Sequence, residues 1–95
     1  MRYHPKLDAN QHAIVDGLRR CGAKVLSLAP MGGGVPDLLV FAGGRLFLLE
    51  VKDGAKCQSA RKLTPAERAF GLAWPVAVVE SLPAALAAVG LAPVG

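Results

Sequence analysis

The stretch 34-GVPDLLVFAGGRLFLLEVKDG-54 decides the fold, because a Gly-Gly pair separates two strongly apolar runs. Two glycines between such runs are typical of a β-hairpin with a two-residue turn. We therefore predict strands at residues 37–42 and 45–52. The same stretch carries Asp37, Glu50 and Lys52, which are unexpected in a segment with the composition of a buried strand pair.

The hairpin register brings these three charges together. A turn at the two glycines pairs Ala42 with Arg45, and Asp37 then faces Glu50. Carboxylates on directly opposed residues, with Cβ atoms about 4.5–5.5 Å apart, repel each other. Glu50 and Lys52 are two residues apart and therefore project from the same face of the strand. All three charges are predicted at one end of one sheet face.

A divalent cation between the two carboxylates would turn this repulsion into attraction. Two carboxylates, completed by waters and substrate oxygens, are a usual way to hold Mg²⁺. The backbone carbonyl of Val51 is a further candidate ligand, and Lys52 would then lie beside a bound phosphate. The alternative is that Asp37 is a solvated strand start and that Glu50 and Lys52 form a surface pair.

The segment before the hairpin predicts a helix, a strand and a loop. The helix begins after Asp8 and ends at Gly22, which suits a left-handed helix stop. A strand is predicted at residues 24–28. The glycine-rich residues 29–34 predict a loop that a ligand could approach closely.

The segment after the hairpin predicts a helix, a buried strand and a last helix. Thr64 and Glu67 form a capping box at the start of the first of these helices. The buried strand covers residues 76–80, and Ser81 caps a helix that runs to about Val89. The predicted order is therefore α-β-β-β-α-β-α.

Length and composition indicate one small domain. The chain has 95 residues, of which 53% are hydrophobic, and a domain of this size is often stabilised by oligomerisation. Its 11 Lys and Arg against 7 Asp and Glu give a net charge of +4. That charge suits an anionic partner such as nucleic acid, although many small proteins without such a partner are equally basic.

The sequence predicts a cytoplasmic protein with reduced thiols and no membrane partner. The start of the chain lacks the pattern of a signal peptide, and no apolar run reaches the roughly 18 residues of a membrane span. The spacing of His4, His12, Cys21 and Cys57 matches no zinc module.

"GVPDLLV" followed by "LLEVKDG" resembles the PD-(D/E)xK nuclease superfamily, and in particular its stand-alone VRR-NUC branch, which is common in phage and prophage genomes. The resemblance covers nearly the whole chain, 1–95, as a single VRR-NUC-like domain. It implies an α/β fold with a restriction-endonuclease-like αβββαβ core, in which helices flank a central mixed sheet. Holliday-junction resolvases share this core.

The resemblance also implies the roles of the charged residues. Asp37 and Glu50 would be catalytic ligands of Mg²⁺ or Mn²⁺, assisted by the Val51 backbone carbonyl. Lys52 would be the third catalytic residue, which positions or activates water and stabilises charge on the phosphate.

Two positions depart from the family pattern. Gln11 stands where the first helix of the family often has a Glu, so it is a further candidate metal ligand without charge, and a second metal becomes doubtful. Glu67 stands near a frequent family Gln. We interpret Glu67 first as a capping residue, with a contribution to the active site as the alternative.

Basic residues after the motif are candidates for contact with DNA phosphates, which position nucleic acid without reading its sequence. The alternative is a solvated basic loop. Phe70 and Trp74 are predicted in the core rather than as stacking platforms for bases. The candidate DNA-binding residues are Lys56, Arg61, Lys62 and Arg68.

These features predict a metal-dependent endonuclease that hydrolyses DNA phosphodiester bonds at branched or junction structures. Symmetric cutting of two strands calls for two sites, so a homodimer is predicted. One rival is a non-catalytic DNA-binding or assembly module that retains the nuclease fold, which Gln11 favours. The other is a structural phage protein, which the charge constellation disfavours.

Overall fold

A four-stranded mixed sheet organises the computed structural model, which describes residues 9–53 and 62–91. The strands lie in chain order; β1–β2 and β2–β3 pair antiparallel, and β3–β4 pair parallel. Over these residues the protein is thus of the α/β class, with three helices flanking the sheet, and the elements follow the predicted order. The elements are α1 (Ala9–Arg20), β1 (Lys24–Ser27), a 3-10 turn (Ala29–Met31), β2 (Leu38–Ala42), β3 (Arg45–Val51), α2 (Pro65–Ala73), β4 (Val76–Val79) and α3 (Leu82–Ala88).

The β2–β3 hairpin has the predicted register. Both turn glycines adopt positive φ angles, 57° and 79°, which glycine reaches without steric penalty. Ala42 pairs with Arg45, and the pairing continues to the far end of the hairpin. The next positions beyond the paired residues are Asp37 and Glu50. The predicted register, in which these two carboxylates face each other, is therefore confirmed.

One face of the sheet packs against α1 and α3 and holds the core. Burial alternates along β2, as expected when one face of a strand is buried, whereas β3 is exposed near the turn and buried on both faces at its end, residues 49–51. Gly17 allows α1 and α3 to pack closely, because a Cβ at this position would overlap the Leu82 side chain. The largest fully buried residues include Ile14, Leu18, Leu38, Val40 and Leu49.

The opposite face carries Glu50 and is only partly covered. Besides Val78 on β4, three large apolar side chains on it stay 43–67% exposed, and we call these three the open sheet face: Leu26, Phe41 and Leu46. α2 has no buried residue.

The prediction that Trp74 lies in the core is wrong. Its side chain is 55% exposed and stacks on Phe70 at a centroid distance of 5.6 Å. An aromatic pair on one helix shields part of its own surface without entering the core.

Gly34 fixes the position of α2 against the loop before β2. Its φ is +83°, and a Cβ there would lie 2.5 Å from the backbone of Ala66. Only glycine satisfies both conditions. At Gly34, the glycine-rich loop is therefore packed against the first turn of α2.

The last strand, β4, lies at the edge of the sheet. Its burial was overestimated from the sequence, since Val78 is 47% exposed and only Val79 is buried. An apolar run does not distinguish an edge strand from a central one.

In the described ranges, no helix has the length and apolar character that a membrane crossing requires.

Candidate functional site

Asp37 lies directly before β2, and its side chain is bound to the neighbouring strand. Its Oδ2 accepts a hydrogen bond of 2.8 Å from the backbone N–H of Val51. This bond holds the carboxylate beside the end of β3, where its charge contributes to the raised pKa of Glu50. The predicted proximity of Asp37 and Glu50 is therefore present in the structure.

Glu50 is the most buried charged side chain of the site, with 4% of its surface exposed. Burial, a hydrogen bond with Glu67 and the charge of Asp37 raise the pKa of Glu50 to about 8, while Lys52 opposes the shift. A buried ionised carboxylate is unfavourable without compensation. The alternative of a solvated surface pair is wrong for Glu50, and its environment favours either a proton or a cation.

Lys52 follows β3 and joins two acidic residues. Its Nζ lies 2.9 Å from Oε1 of Glu67 and 3.5 Å from Oε2 of Glu50. Burial alone would lower the pKa of Lys52, but the hydrogen bond and charge of Glu67, together with Glu50, raise it above the ordinary value. Lys52 is therefore a protonated donor at neutral pH.

Glu67 caps α2 and also contacts Lys52, while its contribution to an active site stays a prediction. At the start of α2 its Oε1 accepts the Thr64 backbone N–H at 2.9 Å, and the Thr64 hydroxyl accepts the Glu67 N–H at 3.1 Å. The predicted capping box is confirmed. The same Oε1 accepts from Lys52. Burial opposes ionisation of Glu67, but the hydrogen bonds from Thr64 and Lys52 lower its pKa overall.

The Val51 carbonyl, a candidate metal ligand, lies opposite a proline. Extension of the hairpin register places Pro36 across from Val51. Proline has no N–H, so Pro36 cannot donate the hydrogen bond that a regular ladder would give this carbonyl. Because Pro36 has no N–H, the Val51 carbonyl oxygen receives no hydrogen bond from this position. The Val51 N–H, in turn, donates to the Asp37 carboxylate rather than to a backbone carbonyl.

Asn10 is a positioning residue that no pattern in the sequence indicates. From the first turn of α1, its Nδ2 donates to the backbone carbonyl of Lys52 and to that of Glu80, each at 3.0 Å. It therefore connects the ends of β3 and β4. A single Asn early in a helix has no distinctive spacing, and only the tertiary structure identifies this role.

Gln11 is buried on α1, with 8% of its surface exposed. It lines a cavity of about 160 Å³ that also contacts Ser27 and Leu38. Leu38 is adjacent in sequence to Asp37, but the cavity lies on the side of α1 and β1. The assignment of Gln11 as a metal ligand stays a prediction.

The candidate DNA-binding residues divide into two groups. Lys56 and Arg61 lie outside the described residues. Lys62 and Arg68 are exposed, and Arg68 directly follows Glu67 on α2. Arg68 lies in the wall of the same cavity as Glu50 and Glu67, and Lys62 lies two residues before the Thr64 cap of α2.

The acidic cluster has the composition to accept a divalent cation. Across residues 9–53 and 62–91, no three His, Cys, Asp or Glu side chains form a metal site by themselves. Asp37 and Glu50 would supply two carboxylates, and Mg²⁺ commonly completes its shell with waters and substrate oxygens. Buried Glu50 and half-buried Asp37, whose charge raises the pKa of Glu50, fit such an ion.

A cavity of about 240 Å³ adjoins this cluster, between α2 and the face of the sheet that carries Glu50. Glu50 and Glu67 lie in its wall, and Arg68 lies beside them. Among the described residues, its remaining lining is apolar or glycine: Gly34, Pro36, Leu63, Gly71, Leu72, Val76 and Val78. The site therefore combines a charged cluster with an apolar recess.

Comparison with protein-family models, curated proteins and solved structures gave no match for this chain.

Proposed function

We propose that this chain is a metal-dependent endodeoxyribonuclease with a restriction-endonuclease-like core of the PD-(D/E)xK, VRR-NUC type. It hydrolyses phosphodiester bonds of DNA, selectively at branched or junction structures. The observation that carries the proposal is the burial of Glu50 among Asp37, Lys52 and Glu67 at the end of the hairpin.

Asp37 and Glu50 would hold the ion, with the Val51 carbonyl as a third ligand and Gln11 as a further candidate. When bound, Mg²⁺ or Mn²⁺ supplies Lewis-acid polarisation of the scissile phosphate and lowers the pKa of the attacking water. The hydrogen bond from the Val51 N–H orients the Asp37 carboxylate for this task.

Lys52 acts as a cationic hydrogen-bond donor toward the phosphate and its attacking water. Its raised pKa keeps it protonated at neutral pH, so it stabilises negative charge rather than abstracting a proton. Glu67, ionised because its pKa is lowered, holds the ammonium in place from α2. Lys62 and Arg68, and in sequence Lys56 and Arg61, would contact flanking phosphates.

The working unit in this proposal is a homodimer in the cytoplasm. The open sheet face offers the apolar surface for a second copy, since large exposed apolar patches mark interaction sites. A two-fold axis would relate two Asp37, Glu50 and Lys52 sets, one for each strand of a junction.

Cleavage of end-labelled linear duplex, flapped and four-way DNA tests the function, with Mg²⁺, Mn²⁺ or EDTA. We expect metal-dependent cleavage, preferentially of branched DNA, and at least a 100-fold loss of rate in Glu50→Gln. Glu80→Gln is the matched control, because Glu80 is an exposed glutamate at the end of β4. Cleavage that persists in EDTA, or wild-type cleavage by Glu50→Gln, contradicts the assignment.

The rival function is a DNA-binding or assembly module without catalysis. The uncharged Gln11 favours it, because the family pattern there is acidic. The same assay separates the two: binding of branched DNA without cleavage by any divalent metal would select the rival.

A further inference from the structure

The cavity between α2 and the sheet is larger than the proposed chemistry requires. In the proposed reaction a metal ion, a water and a phosphate would be held at the charged cluster, whereas the cavity of about 240 Å³ extends from it between apolar side chains. An apolar cavity of about 150 Å³ is enough to hold a benzene molecule. The recess beside Glu50 and Glu67 therefore has room for a one- or two-ring planar group.

Gly71 keeps this cavity open. It lies within α2, where glycine lowers helix stability relative to alanine. Its φ is not positive, and a Cβ at this position would meet no atom within 4 Å. Neither backbone conformation nor close packing therefore requires a glycine at this position. Gly71 is one helical turn after Glu67, so its missing side chain leaves space on the same helix face as that carboxylate.

The lining of the cavity specifies the chemistry of its ligand. Aliphatic walls from Pro36, Leu63 and Val76 suit the two faces of a flat ring, and Arg68 offers a donor beside the acceptors Glu50 and Glu67. A nucleobase has this combination of apolar faces and an edge with donors and acceptors. It would also be covalently tethered to a phosphate at the neighbouring charged cluster.

We propose that this cavity receives an unstacked nucleobase of the strand whose phosphate lies at Asp37 and Glu50. The inference rests on the proposed nuclease function and deepens it. A base can enter a recess only when it is unpaired and turned out of its stack. The substrate class is therefore DNA with an unpaired nucleotide next to the cut, such as a flap or a junction, rather than continuous duplex.

The first test is a titration of the ¹⁵N-labelled protein with dAMP in EDTA, followed by amide chemical shifts. We expect saturable shifts at Gly71, Leu72 and Val76. 2-Deoxyribose 5-phosphate, which has the phosphate but lacks the base, should leave these amides unchanged. Equal shifts with the sugar phosphate, or no saturable shift with dAMP, overturn the assignment.

A filled cavity provides the matched variant. Gly71→Leu should abolish the dAMP shifts, whereas Ala69→Leu, which adds an exposed leucine on the same helix, should preserve them. The amide spectra of both variants in the absence of ligand report whether the fold is retained. Undiminished dAMP binding by a folded Gly71→Leu protein overturns the assignment.

The second test uses flapped DNA with a single abasic nucleotide moved along the strand next to the cut. At one position, loss of the base should lower the wild-type kcat/KM about tenfold, the range expected for one base contact. In Gly71→Leu the same abasic substitution should change kcat/KM less than twofold. Cleavage at a rate that does not change with the position of the abasic nucleotide overturns the proposed base-binding cavity and leaves the nuclease function standing. Saturable dAMP binding without cleavage in any metal overturns the nuclease function alone.

Discussion

The Lys52 ammonium lies 2.9 Å from Glu67 Oε1, so the residue that follows β3 is held by the first turn of α2. The same oxygen closes the capping box of the helix. Helix initiation and the orientation of the proposed catalytic cation therefore depend on one carboxylate. To distinguish the capping role of Glu67 from a catalytic role, a variant must remove its charge without breaking the cap.

Glu67→Gln separates the two roles. A Gln at the third helical position can still close a capping box, but it has no charge to hold Lys52. We expect a 10- to 100-fold loss of kcat with little change in melting temperature. Thr64→Ala is the control: it should lower stability by about 0.5–2 kcal/mol and leave kcat near the wild-type value. Wild-type kcat in Glu67→Gln would show that Glu67 is only a cap.

Glu50 should make the metal-free protein less stable as pH rises. Its folded pKa is raised to about 8 from an ordinary value near 4.5, so the folded state retains a proton that the unfolded state releases. The stabilisation is complete below pH 4.5 and is lost as pH rises through about 8. Urea unfolding in EDTA should show a loss on the order of 3 kcal/mol between pH 5 and 8.

Glu50→Gln is the control for this pH dependence, because a neutral amide binds no proton. In the variant, the free energy of unfolding should decline much less with rising pH, and at pH 8.5 the variant should be at least as stable as wild type. Mg²⁺ should stabilise wild type at pH 8 and not Glu50→Gln, since a bound ion takes the place of the proton. An unchanged decline in Glu50→Gln would assign the effect to another group.

The fold was largely predictable, because its signals are local. The Gly-Gly turn determined the hairpin register, and Thr64 and Glu67 determined the start of α2. The contact between Lys52 and Glu67, and the hydrogen bonds of Asn10, were not predictable in the same way. They join residues 15, 42 and 70 positions apart in sequence, and no periodicity encodes how far a helix reaches across a sheet. Trp74 was misplaced because apolar character does not reveal which helix face remains uncovered.

Asp37→Asn and Asp37→Ala should differ in stability but not in activity. Repulsion between carboxylates alone would predict that either variant is at least as stable as wild type. However, Asp37 also accepts the N–H of buried Val51, and an unsatisfied buried N–H costs about 1–3 kcal/mol. Asn retains an acceptor, whereas Ala does not.

We therefore expect both variants to lose cleavage, with Asp37→Ala less stable than Asp37→Asn in chemical denaturation. Equal stability of the two variants would mean that the Val51 hydrogen bond contributes little. Cleavage by Asp37→Asn at the wild-type rate would remove Asp37 from the proposed metal ligands.

Binding and chemistry should depend on different cations. The double variant Lys62→Ala/Arg68→Ala should weaken DNA binding for all sequences and reduce the slope of log K against log salt by about two. Lys52→Ala should lose rate and keep most of the affinity. Arg20→Ala/Arg45→Ala removes the same charge from exposed positions, at the end of α1 and beside the hairpin turn. If both double variants change the slope equally, the effect is one of net charge.

The open sheet face should control oligomeric state. Leu26, Phe41 and Leu46 lie on the same face as Glu50, so a dimer formed through them would set two sites at a fixed separation. Light scattering at micromolar concentration should give twice the mass of one chain. Leu46→Lys should give a monomer, because an unpaired charge within an apolar interface is unfavourable.

Met31→Lys is the matched control, since Met31 is 67% exposed, as is Leu46, but lies in the 3-10 turn outside that face. It should remain dimeric. On four-way DNA the dimer should cut two strands in one binding event, whereas Leu46→Lys should nick one strand. A wild-type monomer that stays monomeric on four-way DNA and still cuts both strands in one event contradicts the dimer. Nicking of one strand by a wild-type monomer would instead indicate a flap or single-strand nuclease, in which one Asp37, Glu50 and Lys52 set is sufficient.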